Sequence, residues 1–213
     1  MISFLYLILF IYFIFYNYYD KIFSLILYFS GFKLDKSNLN NIPSKIILIS
    51  SHTSIYDFFV ALSVYYTCFH NKYENYILMK KFFSDMCSPI LPFLDKKFKI
   101  IEIDNKKKGI TKYLIDNLKN KDNFIIFISP EGTRKIKEEP RKGYWALSKE
   151  LNVKVIYTGV DFITKNISFE KARYVNNNWE DEKLLFIDSC KKYIPLYPER
   201  CYWTKNYYDS SEE

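Results

Sequence analysis

The sequence predicts an α/β domain, a layered fold with a mostly parallel central sheet flanked by helices, preceded by an N-terminal hydrophobic membrane helix or hairpin. Three observations predict it. Two Ile-rich runs, IILIS at Ile46 to Ser50 and FIIFIS at Phe124 to Ser129, have the unbroken apolar content of strands covered on both faces. Stretches of helical spacing alternate with such runs, the order a parallel sheet requires. Residues Ile2 to Tyr19 carry no charge at all.

Taken in order, the Ile2 to Tyr19 run would extend about 27 Å as a helix, close to the hydrocarbon thickness of a bilayer. Asp20 and Lys21 interrupt it, and the next apolar run, Ile22 to Phe32, is too short to span alone. A cleavable signal fits less well, because a basic leading region and a small-residue cleavage site are both missing. Two arrangements stay open: a spanning helix followed by an interfacial segment, or a hairpin inserted in one leaflet. Lys33, Lys36 and Lys45 follow and suit a cytosolic flank, so the expected location is a membrane with the domain facing the cytosol.

Beyond Lys45 the chain alternates. Strands are expected at Ile46 to Ser50, Tyr76 to Met79, Phe98 to Ile103, Phe124 to Ser129 and Val153 to Val160. Helices are expected at Asp57 to Tyr66, Gly109 to Leu118, Tyr144 to Leu151 and, richly charged, Trp179 to Lys192. The length of 213 residues suits one domain with a sizeable core.

The net charge of +7 suits an anionic partner. Nucleic acid is disfavoured, because no basic helix, zinc-finger spacing or aromatic RNA-binding signature is present. Lysines behind a hydrophobic N-terminus favour a lipid surface instead. The four cysteines, Cys68, Cys87, Cys190 and Cys201, form no close pair, and with His52 and His70 the only histidines a zinc site is not expected. Reduced thiols in a cytosol-facing domain are the plain expectation.

Chemistry concentrates after two of the strands. The first motif is Ser51-His52-Thr53-Ser54-Ile55-Tyr56-Asp57. On an unbroken helix His52 and Asp57 would diverge by about 140°. A strand-to-helix turn brings them together, with the carboxylate fixing the imidazole tautomer and the second ring nitrogen left to take a proton from a hydroxyl. Ser54 and Asp57 also read as a helix capping box, which would give Asp57 a purely structural duty. The second motif is Ser129-Pro130-Glu131-Gly132-Thr133-Arg134. Ser-Pro can begin a helix, but Gly132 so early argues for a tight loop in which backbone approaches a ligand. Arg134 offers a planar fork for phosphate, and Glu131 would position Arg134 or a substrate hydroxyl.

Together HTSIYD and SPEGTR closely resemble the paired motifs of the glycerolipid acyltransferase family typified by 1-acylglycerol-3-phosphate acyltransferase. Met79-Lys80-Lys81, Lys142 to Ala146, Val160-Asp161-Phe162 and Pro198-Glu199 are similar to further family segments, and the resemblance runs from Ser44 to Glu199. It implies an acyltransferase domain over 44–199, after a membrane segment over 1–33 and before a tail over 200–213. It also implies a reaction. His52, oriented by Asp57, acts as general base on the free hydroxyl of a lysophospholipid, most naturally lysophosphatidate. That hydroxyl attacks the thioester of acyl-CoA or acyl carrier protein. Lys80, Glu131, Gly132, Thr133 and Arg134 bind substrate, and neither a metal nor another cofactor is needed. Partners are then membrane lipids, acyl-CoA and the lysophospholipid.

The sequence departs from the family pattern at two places that bear on the acceptor. Asn105 stands where the family usually has arginine, with Lys106 to Lys108 beside it, and Lys154 stands where a proline is usual. Lys96, Lys97 and Lys99 suit either headgroups or solvent, His70 reads as exposed or structural, and Tyr202 and Trp203 suit either core or interface. Acylation of another lysophospholipid or alcohol is the nearest alternative. A catalytically idle lipid-binding membrane protein is a third, against which the base-orienter pair argues.

Overall fold

The computed structural model describes residues 18, 20–81, 84–85, 97–103, 109–201 and 203. The Ile2 to Tyr19 run apart from Tyr18, together with Cys87, Lys96, Asn105, Lys106 to Lys108, Tyr202 and the final SSEE, lies outside them. Among the described residues, no helix is long and apolar enough to cross a membrane.

Seven strands form one sheet: β1 (Lys33–Leu34), β2 (Lys45–Ile49), β3 (Glu74–Lys80), β4 (Phe98–Ile103), β5 (Phe124–Ile128), β6 (Lys154–Asp161) and β7 (Asn166–Phe169). Their order is β1-β7-β6-β2-β5-β3-β4, parallel throughout except for the antiparallel β6–β7 pair. α1 (Tyr56–Cys68) connects β2 to β3, α2 (Ile110–Leu118) connects β4 to β5, α3 (Gly143–Leu151) connects β5 to β6, and α4 (Trp179–Cys190) follows β7. The α/β expectation therefore holds, with a mostly parallel sheet between helices.

The apolar runs are explained by burial on both faces. Along β2, Ile46 and Leu48 point into one core while Ile47 and Ile49 point into the other, as the two-residue period of a strand dictates. The first core packs β2, β5 and β6 against α1; the second packs them against α2, α3 and α4. Residues 20–29 are helical and lie on the first core through Phe23 and Leu27, the Phe23 ring stacking on Tyr66 at 4.6 Å. Gly31 ends that helix in the left-handed region at φ 78°, with its own N–H on the Tyr28 carbonyl and the Phe32 N–H on that of Leu27.

One register positions the site. β2 lies between β5 and β6, parallel to both, with Ile49 beside Ile128 on one side and Tyr157 on the other. The Ser50 N–H continues the ladder onto the Ile128 carbonyl at 3.3 Å. Both candidate motifs thus leave the same edge of the sheet from neighbouring strands. Lys154 opens β6 at the opposite edge, where its ammonium sits over the Tyr174 ring.

Several features go beyond the sequence reading or decide between its alternatives. β1 and β7 were not expected, being two and four residues long with polar positions among them. β6 and β7 form a hairpin whose turn is held by Asp161, which accepts from the N–H groups of Ile163 and Thr164. His70 is structural: its Nδ1–H donates to the Tyr66 carbonyl at 2.7 Å near the end of α1. Trp203 is buried and packs edge-on against Phe186.

Candidate active site

The turn after β2 reverses direction within a few residues and enters α1. Asp57, on the first turn of α1, draws it together. Its Oδ2 accepts from the Thr53 N–H at 2.7 Å, the Ser54 N–H at 2.8 Å and the His52 ring at 3.2 Å. Ser54 Oγ accepts from the Asp57 N–H at 3.3 Å, completing a reciprocal capping arrangement. The two readings of Asp57 are therefore one geometry: the carboxylate that caps α1 also meets the imidazole. Two backbone donors already fix Oδ2 as an acceptor, so His52 Nδ1 must be the protonated nitrogen. Nε2 is left as the basic nitrogen.

The turn after β5 is a tight loop and not a helix start. The Gly132 N–H bonds to the Ser129 carbonyl at 3.0 Å, and Gly132 sits in the left-handed region at φ 62°. A Cβ there would stand 3.0 Å from Nη1 of Arg141, whose own N–H is held by the Pro130 carbonyl. Gly132 thus allows the Arg141 guanidinium to lie flat against the loop. Thr133 Oγ1 accepts from the Lys135 N–H.

Glu131 is turned inward and is only 4% exposed. Its Oε1 accepts from Ser51 Oγ at 2.6 Å and from the His52 N–H at 3.4 Å. Its Oε2 is buried without a hydrogen-bond partner among the described residues. Burial drives its pKa up to about 7, against the lowering effect of the Ser51 hydroxyl and the nearby His52.

Both turns open on one cavity of about 1160 Å3. His52, Asp57, Lys80, Gly132, Thr133 and Arg134 line it, so six of the seven site residues expected from sequence share one space, and Glu131 lies beneath it. Two arginines not anticipated from sequence, Arg141 and Arg200, line it as well. Arg200 stacks on Tyr197 at 4.2 Å and donates from Nη1 to the Thr53 carbonyl at 3.4 Å. The cavity's described charges are strongly one-sided: Lys80, Arg134, Lys135, Arg141 and Arg200 face a single carboxylate, Asp57. Apolar side chains, including Ile55, Phe58, Ala61, Ile77, Met79, Ile110, Leu114 and Phe127, form the rest of the wall. Of the basic stretch at Lys96, Lys97 and Lys99, the described Lys97 and Lys99 do not line it, and Lys97 Nζ donates to the carbonyls of His70 and Asn71.

Cys68, Cys190 and Cys201 are thiols and not disulfides. Burial lifts the Cys68 thiol to about 11 and that of Cys190 well above the usual range, so neither offers a thiolate nucleophile near neutral pH. The chemistry available here is proton removal by an oriented imidazole, in a cavity lined by basic and apolar side chains.

A family model described as acyltransferase matches residues 33–157, more than half of the chain, from β1 through the middle of β6 and across both motifs. No curated protein and no solved structure gives a significant match. The order, spacing and convergence of the two strand-end motifs agree with that match, and the chain belongs to the acyltransferase family, the glycerolipid acyltransferases that include the 1-acylglycerol-3-phosphate acyltransferase-like proteins.

Proposed function

We propose that this acyltransferase moves a fatty acyl group from an acyl-CoA or acyl carrier protein thioester to the free hydroxyl of a lysophospholipid, with lysophosphatidate the best-fitting acceptor and phosphatidate the product. The observation that carries the reading is the His52–Asp57 contact at 3.2 Å on the wall of a cavity lined by both basic and apolar side chains.

The steps balance without a covalent enzyme intermediate. The acceptor hydroxyl oxygen attacks the thioester carbonyl carbon while His52 Nε2 takes its proton, and Asp57 stabilises the resulting imidazolium. The tetrahedral intermediate collapses, the carbon–sulfur bond breaks, and the thiolate leaves with the proton from His52. Arg134 and Lys80 hold the acceptor's phosphate, where a bidentate guanidinium is the better match. The apolar wall takes the acyl chain, as concave sites for largely apolar ligands do.

Membrane attachment belongs to the same reading, with the catalytic domain on the cytosolic face. The uncharged Ile2 to Tyr19 run supports it. So do Leu25, Tyr28 and Phe29, which are exposed on the helix over 20–29. Purified protein given acyl-CoA and lysophosphatidate should release free CoA thiol and form phosphatidate, read by a thiol reagent and by mass spectrometry. His52→Ala should lower turnover by about two to four orders of magnitude, the range for a lost general base. Silence across a panel of lysophospholipids and both donor types would leave a lipid-binding protein.

A further inference from the structure

The family resemblance groups Glu131 with the substrate-binding residues, yet its carboxylate does not line the cavity, while the loop residues on either side of it, Ser129, Pro130, Gly132, Thr133 and Arg134, all do. It reaches the other way, across the β2–β5 boundary, to Ser51 and His52. The consequence appears when the backbone donors of the first turn are followed in sequence. The His52 N–H goes to Glu131 Oε1, and the next two, from Thr53 and Ser54, go to Asp57 Oδ2. Three consecutive peptide N–H groups are thus held by two carboxylates on opposite sides of the chain. Asp57 fixes the turn from the helix and Glu131 fixes it from the neighbouring strand.

We propose that Glu131 is a positioning residue that sets the backbone of His52, through the Ser51 hydroxyl and the His52 peptide N–H, and does not contact the acceptor. The proposal rests on His52 being the base. The use of this side chain is as an acceptor: its Oε1 takes two donors at once, which an aliphatic side chain could not do. The second oxygen, buried without a partner among the described residues, is a cost that the fold bears beside the proposed base. Displacement of a base by 1 Å can cost about 100-fold in rate, so a brace on its backbone is a rate device.

Steady-state kinetics of Glu131→Ala, Glu131→Gln, Ser51→Ala and His52→Ala, with acyl-CoA and lysophosphatidate, test this. Glu131→Ala should lower kcat by about 10- to 100-fold, with the acceptor KM held within about two-fold, the pattern of an interaction felt in the transition state only. Glu131→Gln, whose amide oxygen accepts the same two donors, should recover most of that loss. Ser51→Ala should lower kcat by a smaller factor, again without moving KM, and it decides the matter if Glu131→Ala does not fold. A raised acceptor KM with unchanged kcat in Glu131→Ala would overturn the proposal and return Glu131 to the phosphate site. A glutamine variant as damaged as the alanine one would overturn it too. If His52→Ala is inactive while Glu131→Ala and Ser51→Ala keep wild-type kcat, the brace is wrong and the base stands; if His52→Ala is active, the base reading itself fails.

Discussion

The Thr53 carbonyl and the Arg200 guanidinium meet at 3.4 Å, tying the residue after the proposed base to a turn 147 positions further along the chain. Arg200 lies beyond the segment matched by the family model, on the same cavity as Arg134. It adds a cation in a chain where Asn105 stands in place of the family's usual arginine. Arg200→Ala should raise the acceptor KM by roughly 10- to 100-fold, the size of one charge-assisted hydrogen bond. Arg200→Lys should restore little of it, because an ammonium cannot keep the Thr53 contact, the Tyr197 stack and a phosphate contact together. An unchanged KM in both variants would leave Arg200 as a clasp on the turn alone.

Asp57 both caps α1 and meets the proposed base, and Asp57→Asn should separate the two contacts. The amide oxygen can still accept from Thr53 and Ser54, so α1 should lose no more than about 1 kcal/mol of capping. The imidazolium loses its counter-charge, so kcat should fall by two to four orders of magnitude, roughly the loss when the carboxylate of a catalytic triad is neutralised. Thermal melting and turnover, measured on one preparation, would show the two effects apart. A large drop in melting temperature with little change in rate would reverse the assignment.

Glu131 makes stability depend on pH with a definite sign. Its folded pKa of about 7 lies above the ordinary carboxyl value of 4.5, so the folded chain holds the proton more tightly than the unfolded one. The burial cost of the charged form is therefore absent below about pH 4.5, grows as pH rises toward 7, and is complete above it, on the order of 3 kcal/mol. Urea unfolding at pH 5 and pH 8 should show the wild type losing more stability across that interval than Glu131→Gln. Parallel pH profiles for the two proteins would contradict the buried, neutral-leaning carboxyl.

Gly132→Ala should act on binding through Arg141. The added Cβ would stand 3.0 Å from Nη1 and would have to hold φ 62°, a backbone strain of about 1–2 kcal/mol. Acceptor affinity should fall while His52, held from β2 and α1, stays in place. A crystal structure of the variant with an unmoved Arg141 would exclude this route.

Glu182 tests the scaffold and not the site. It is fully buried, paired by two contacts with Arg173, and also receives the Tyr157 hydroxyl and the Asn176 N–H. Tyr157 contacts Tyr144, which lines the cavity. Glu182→Ala should cost about 3–5 kcal/mol in chemical denaturation, because it strands a guanidinium and a hydroxyl together. A loss under about 1 kcal/mol would mean that solvent reaches the cluster.

Much of this was legible in the sequence, for identifiable reasons. β5 throughout and β2 beyond Lys45 are apolar at every position because both their faces are covered, and no surface element would carry such runs. His52 and Asp57 were legible because a turn between strand and helix is the simplest way to close five positions. β7 was not, since NISF is short, begins on polar Asn166 and gains its order from the hairpin with β6. The inward turn of Glu131 was hidden because a sequence does not say which side of a loop faces solvent. Arg141 and Arg200 were hidden because single arginines in turns obey no periodicity; the one local sign was a proline near each, Pro140 and Pro198. The Lys97 contacts with carbonyls of His70 and Asn71 likewise depend on folding, and chain order does not reveal them.

The pairing of Ile49 with Ile128 has one further consequence. Distance between the two motifs along the chain is irrelevant to the chemistry, because the ladder gauges it afresh in every folded molecule. Insertions among the crossovers between β2 and β5 would leave the reacting groups aligned. A slip of one rung would advance one motif by about 3.3 Å and turn its side chains to the other face. Tolerance to length and intolerance to register therefore belong to the same pair of strands.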